Sequence, residues 1–231
     1  RDSLPDTWNT HPADMERKIT PRRKGVIPVH LYGNPCDMDA IMSIAKKHAL
    51  FVLEDAAECH GATYAGKKAG TIGDVGVFSF FGNKIITTGE GGMVITDNDE
   101  LAAKMRLFKG QGMDPNRRYW FPVTGYNYRM TNIEAAIGLA QLENVADHIA
   151  ARQRVADWYC EFLADMADYI TPQKQTSGAE SVWWMYSVLL NQNSRISRDA
   201  LMEALAADGI ETRPLFYPMH IMPAFYGEQA N

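Results

Sequence analysis

The apolar positions of this chain change period along its length, and each change marks an element. Val26–Leu31 ("VIPVHL") is a nearly continuous apolar run and reads as a buried strand. Over Asp37–His48, the residues Met38, Ile41, Met42, Ile44 and Ala45 recur at helical spacing, which predicts a short amphipathic helix. Phe51–Leu53, Gly76–Phe81 and Gly92–Thr96 read as further short strands, and Asp99–Leu107 as a helix. Strands alternating with helices predict an α/β layer structure with a mainly parallel sheet. A loop rich in aromatics and arginines follows (Gly110–Tyr128). Thr131-Asn132-Ile133-Glu134 then has the S/T-x-x-E form of a capping box and opens one long helical pattern to about Met166. A strand (Trp183–Leu190), a helix (Ser197–Asp208, stopped by Gly209) and a strand (Ile210–Arg213) predict a small α+β lobe. The expected organisation is residues 1–130 in a large α/β domain, 131–166 as a connecting helix and 167–231 in a small domain.

Composition narrows the classes without choosing among them. A chain of 231 residues can bury a sizeable core. The net charge is −5, from 23 basic and 28 acidic residues, and no basic block is present, which argues against a nucleic-acid partner. Cys36, Cys59 and Cys160 are widely spaced and odd in number, so they form neither a disulfide framework nor a CxxC metal pair. That usage favours a reducing, cytoplasmic compartment. No apolar run reaches membrane-spanning length, and the polar start has no signal-peptide core. It also has no initiator Met.

In α/β sheets, ligands sit at the carboxyl ends of strands, so the chemistry is sought there. The stretch "FSFFGNKIITTGEGGM" (Phe78–Met93) places a single lysine, Lys84, between an apolar strand and a glycine-rich turn. It is either a solvated loop residue or a nucleophile held at a strand end. Asp55 ends another strand; its alternatives are a helix N-cap and a partner for a protonated ring nitrogen. Ser79 either satisfies backbone or holds a phosphate oxygen. Gly89, Gly91 and Gly92 suit a turn or a close backbone approach to a ligand. Glu58 and His60 read as a catalytic pair or as exposed loop residues. Taken together, an acid, a hydroxyl and an amine at strand ends are what pyridoxal 5′-phosphate (PLP) requires. A Rossmann-type dinucleotide site is disfavoured, because no G-x-G-x-x-G follows the first strand.

Four segments carry a closer likeness: "PVHLYGNPCDMDAI", "EDAAECHGATYAGKKAGTIGDVGVFSFFGNKIITTGEGGMV", "GYNYRMTNIEAAIGLAQLE" and "ETRPLFYPMH". In their order they resemble the DegT-type sugar-nucleotide aminotransferases, PLP enzymes of the aspartate-aminotransferase (type I) fold. The likeness spans nearly the whole chain. "SFFGNK…TTGEGG" is most similar to the perosamine-forming branch, which aminates GDP-linked 4-keto-6-deoxymannose with glutamate as donor. The resemblance implies Lys84 as the lysine bonded to PLP and as the base that moves a proton, with Asp55 on the ring nitrogen. It implies Glu58 beside the ring hydroxyl, Ser79 on the phosphate, and Asn127 on the phosphate of a neighbouring subunit, hence a homodimer. Arg213, Tyr217 and His220 would border the nucleotide-sugar. For Arg213 a plain surface placement is the alternative; Arg117, Arg118, Tyr119 and Trp120 are a second candidate wall, with simple packing as the alternative. Relatives with histidine in place of the lysine perform dehydration, so Lys84 favours amine transfer.

The family's chains are longer at both ends. The chain therefore resembles an internal fragment, its large domain truncated at the N-terminus and its small domain at the C-terminus. A folded but silent fragment is the alternative to an active enzyme. Missing strands are expected to leave an open sheet edge and exposed apolar surface.

Overall fold

The computed structural model describes residues 3–224. Helix α1 (Pro12–Arg17), with proline in its first turn, leads into strand β1 (Gly25–Val26). A turn of 3-10 helix at Leu31–Gly33 follows, and then α2 (Met38–Lys47). Strand β2 (Phe51–Asp55) and the short strands β3 (Thr63–Tyr64) and β4 (Lys67–Lys68) precede β5 (Val75–Ser79) and β6 (Gly92–Ile95). Three helices come next: α3 (Asp99–Lys109), α4 (Asn132–Glu143) and α5 (Val145–Phe162). The rest comprises β7 (Ile170–Pro172), β8 (Ala179–Glu180), β9 (Val188–Leu190) and α6 (Arg198–Ala207).

The principal sheet has the order β1-β2-β5-β6. β1, β2 and β5 are parallel, as the α/β pattern predicts, while β6 runs antiparallel to β5. The expected buried strand over Val26–Leu31 is shorter than predicted. Pairing stops after Val26, resumes as one bridge between Val29 and Asp55, and ends in the 3-10 turn. Conversely, β2 runs two residues further than expected, through Glu54 and Asp55. Ile27 and Val29 at the β1 edge and Met93 and Val94 at the β6 edge are exposed apolar side chains.

α2 forms where the periodicity places it. The Asp37 side chain caps it by accepting the Ala40 N–H at 3.1 Å, which satisfies one of the helix's free donors. Met38, Ile41 and Ala45 are buried and meet Cys36, Leu50, Val52 and Tyr64 in the core. Fully burying a side chain of this size stabilises by about 1.5–3 kcal/mol, so this face holds the helix on the sheet.

The predicted capping box is present: the Thr131 hydroxyl accepts the Glu134 N–H, and Glu134 accepts the Thr131 N–H at 2.7 Å. The single long helix expected from Thr131 to Met166 is instead two. The break is at Asn144, whose side-chain amide turns back to the Ala140 carbonyl at 2.8 Å. Apolar spacing continues across the break and does not register it.

The described residues divide into two compact units. One holds residues 3–162 and 173–186; the other holds 163–172 and 187–224. In the second unit β7 pairs antiparallel with β9, and Ser197 caps α6 through the Ala200 N–H at 3.2 Å. The strand predicted over Trp183–Leu190 is paired only at Val188–Leu190, and Ile210–Arg213 forms no strand. Alternation of apolar residues marks extended chain, but a strand also needs a partner edge.

Candidate active site

The carboxyl ends of β2 and β5 bring four of the sequence-predicted residues into one region. In the β2–β5 register Asp55 faces Val77, so Asp55 and Ser79 lie on the same face of the sheet, two residues apart along it. Asp55 closes an Asx turn, accepting the Ala57 N–H at 3.1 Å, and caps no helix. The Ser79 hydroxyl accepts the Phe81 N–H at 3.3 Å.

Lys84 lies on the loop that leaves β5 and returns to β6. Ladder bonds from Phe80 N–H to Gly91 O and from Thr88 N–H to Phe80 O, both 2.9 Å, close the base of this loop. The buried side chains of Ile85 and Ile86 hold it down. The lysine is therefore not a solvated loop residue. Only 11% of its side chain is exposed, and its Nζ is 3.7 Å from Glu58 Oε1. It also lies 3.9 Å from the centroid of the Trp184 ring.

Glu58 and His60 are both buried, so the exposed-loop alternative fails for each. They do not form a pair with each other. Glu58 Oε2 accepts the Tyr32 N–H at 2.7 Å while Oε1 faces Lys84. Burial pushes the Glu58 carboxyl above its ordinary range, assisted by the nearby Asp55 charge and opposed by Tyr32 and Lys84. His60 is sandwiched between Phe78 and Phe80, with ring centroids at 5.6 and 5.9 Å. Burial in this apolar slot pushes its imidazole down to about 4.

The remaining candidates lie on the 110–128 loop or in the second unit. Asn127 is exposed; its backbone bridges to Gly110, tying the aromatic loop back to the end of α3. On that loop Arg117 lies 4.2 Å over the Trp120 ring and Arg118 4.8 Å over the Tyr119 ring. Tyr119 is 72% exposed. Arg213, Tyr217 and His220 belong to the second unit and are exposed, with Arg213 in an open ion pair to Glu211 at 3.4 Å.

Three residues of the region were not predicted. Tyr32 and Trp184 come from segments far from Lys84 in sequence, and no local pattern marks them. Glu54 did carry a signal: an acid inside the apolar strand "FVLED", on the opposite face from Asp55. Its side chain is fully buried. One oxygen accepts His30 Nε2–H (3.0 Å) and Gly70 N–H (2.7 Å); the other accepts the Ile72 and Gly73 N–H groups at 2.6 and 2.5 Å. His30 Nδ1 in turn accepts the Cys36 N–H at 3.1 Å, which fixes the ring's proton on Nε2. Gly76 permits this arrangement, because a Cβ there would collide with the backbone of Gly70. The network anchors β2 one residue before Asp55.

The mainly parallel principal sheet makes this an α/β protein, and the solved structures it superposes on give it the PLP-dependent transferase type I fold. A profile of the DegT/DnrJ/EryC1/StrS aminotransferase family matches residues 1–231, and the chain belongs to that family. It is 58% identical over 224 residues to the GDP-perosamine synthase of Caulobacter vibrioides, covering 97% of this chain and 60% of that protein. The crystal structure of S. venezuelae DesV in complex with a ketimine intermediate superposes with a TM-score of 0.90 at 34% identity, covering 98% of this chain and 59% of that one. The E. coli GDP-4-keto-6-deoxy-D-mannose-3-dehydratase with bound hydrated PLP gives 0.83 at 30% identity, covering 90% and 57%. The chain thus spans about 60% of the length of the curated relatives it matches.

Proposed function

We propose that this chain is the Lys84-bearing part of a PLP-dependent aminotransferase that transfers an amino group to the keto carbon of a nucleotide-linked 4-keto-6-deoxy sugar. The single observation that carries the reading is the enclosed Lys84 amine, held between Glu58 and the Trp184 ring beside the ends of β2 and β5. The likeness to GDP-perosamine synthase supports a GDP-linked substrate, with an amino acid, glutamate by resemblance, as donor. The residues present fit the cofactor: one amine shielded from water, one carboxylate and one hydroxyl on a common sheet face, and a second carboxyl raised by burial.

When bound, PLP would supply an aldehyde carbon that takes up an amino group and a ring that draws off electrons. Lys84 would hold it covalently and, once displaced, move a proton at the substrate carbon. The Asp55 carboxylate would accept a hydrogen bond from the protonated ring nitrogen, a charge-assisted contact worth about 1.5–3 kcal/mol. Glu58, whose carboxyl is raised by burial, would lie beside the ring hydroxyl and exchange a hydrogen bond with it. Ser79 would donate its hydroxyl to the phosphate. Arg213, Tyr217 and His220, with Tyr119, are proposed for the nucleotide-sugar; a bidentate arginine suits a pyrophosphate.

A homodimer belongs to the same proposal. Ile133, Ile137, Leu139 and Leu142 of α4 are exposed apolar residues on one short helix, and Asn127 presents a free polar side chain nearby in sequence. A cytoplasmic setting is proposed from the three free thiols. No helix among the described residues is long and apolar enough to cross a membrane.

The test is borohydride reduction of the PLP-treated chain followed by peptide mapping. The parent should carry the label on Lys84, and Lys84→Ala should fold yet carry none. A label on Lys67 or Lys68 sinks the assignment. Dehydration, the alternative raised by the dehydratase likeness, is separated in a full-length version by whether the sugar product gains nitrogen or loses water.

A further inference from the structure

With Lys84 taken as the reacting amine, as proposed above, we infer that Trp184 is its positioning residue. It fixes the loop that carries the lysine and gives the free amine its resting place. Two contacts from one side chain converge there. The Trp184 ring faces Nζ at 3.9 Å from its centroid, within the range where an ammonium is drawn to an aromatic face. The Trp184 Nε1–H donates to the carbonyl of Asn83, the residue before Lys84, at 2.9 Å. Trp184 is only 5% exposed, so both contacts are made away from bulk water, where they are strengthened.

Trp184 is itself held firmly. Its carbonyl accepts the Arg152 guanidinium at 3.0 Å, and its ring stacks on Tyr32 with centroids 6.2 Å apart. Its backbone lies against Gly33, where a Cβ would meet the Trp184 nitrogen at 2.8 Å and where φ is +94°. Only glycine satisfies both conditions. Trp183, next in line, has φ of 49°, an unfavourable value for a bulky residue that persists where surrounding contacts over-determine it. The same Tyr32–Gly33 turn sends the Tyr32 N–H to Glu58. One turn therefore locates both the carboxylate and the aromatic face that confront the amine. A lysine released from a covalent bond would otherwise sample many rotamers; here it has one favoured position between Glu58 and Trp184.

The test uses the cofactor-free chain, so that it does not depend on PLP chemistry. A brief pulse of acetic anhydride labels neutral amines, and peptide mass spectrometry compares Lys84 with the exposed Lys104. At pH 8, Trp184→Leu should label Lys84 about two- to thirtyfold faster than the parent, the span a cation–π contact implies. Trp184→Phe keeps an aromatic face but loses the bond to the Asn83 carbonyl, so its labelling should fall between the parent and Trp184→Leu. At pH 11, nearer the range where an ordinary amine is neutral, the gap between the parent and Trp184→Leu should narrow, because the ring acts through the ammonium charge. A ratio that is the same at pH 8 and pH 11 reduces Trp184 to a steric shield and overturns the inference. Biosynthetic fluorination of tryptophan keeps the shape but drains the ring's negative face. Lys84 labelling should rise stepwise with fluorine number, an arm that requires no core variant to fold. Equal labelling across the parent, Trp184→Leu and the fluorinated chain also overturns it. In a parallel PLP-treated, borohydride-reduced sample, a label elsewhere than Lys84 overturns the functional reading, whereas the Trp184–Lys84 contact is judged by the acetylation rates alone.

Discussion

Replacing Glu54 tests the network that anchors the end of β2. In Glu54→Ala, four donors lose their acceptor. The Ile72 and Gly73 N–H groups are only half-buried and can turn to water. The His30 Nε2–H and the Gly70 N–H cannot, because both are enclosed. Each stranded buried donor costs about 1–3 kcal/mol, so the variant should lose about 2–6 kcal/mol. That is a large share of a typical stability of about 5–15 kcal/mol. Glu54→Gln is the sharper probe. Each carboxylate oxygen accepts two N–H donors, so whichever way the amide is turned, its NH2 group meets two donors. His30 cannot relieve the clash by changing tautomer, because Cys36 N–H already occupies Nδ1. Glu54→Gln should therefore cost at least about 2 kcal/mol despite its near-identical shape. The assay is urea unfolding followed by far-ultraviolet circular dichroism, comparing midpoints at equal slope. There is also a pH signature. Burial alone would raise the Glu54 carboxyl, but the His30, Gly73 and Gly70 donors outweigh it and hold it below 4.5. A carboxyl depressed in the folded state contributes stability that is full above its unfolded value and lost as pH falls through the folded one. Glu54→Gln should lack that portion of the acid loss. A Glu54→Gln midpoint equal to the parent's at pH 7, or an unchanged acid branch, refutes the reasoning.

His60 gives a second pH-dependent outcome. Its folded value of about 4 lies below 6.5, so the unfolded chain takes up the proton first and stability drains as pH falls from 6.5 towards 4, by about 3 kcal/mol in all. His60→Phe, which fills the slot between Phe78 and Phe80, should remove that drain; parallel acid branches of the two unfolding curves count against the buried neutral imidazole. For assembly, sedimentation at micromolar concentration should show twice the 25.9 kDa chain mass, and Ile133→Asp with Ile137→Asp should halve it. A parent chain that sediments as a monomer at tens of micromolar disposes of the α4 interface.

The sequence by itself determined those elements whose causes are local. α2 was legible because its apolar period and its Asp37 cap lie within one stretch, and the Thr131–Glu134 box because its two bonds join neighbours. Lys84, Asp55, Ser79 and Glu58 were legible as candidates because strand ends and a glycine-rich turn flag them, and the family likeness then gave each a role. Tertiary structure decided what depends on partners distant in the chain. Whether 210–213 or 183–187 became strand depended on an edge to pair with, which apolar alternation does not supply. The break at Asn144 hinges on a side chain turning back onto its own helix, invisible to hydrophobic spacing. Glu54 looked like one more acid of "EDAAE" until strand pairing put it on the buried face, opposite Asp55. The surroundings of Lys84 were the least legible, since Glu58 and Trp184 meet it only after the 32–33 turn, whose Tyr32 N–H holds Glu58, and the 181–184 segment close around it. A lysine's type can be read from one position, but its shielding and its neighbours are properties of chain segments brought together from up to a hundred residues away, and only the folded backbone sets them.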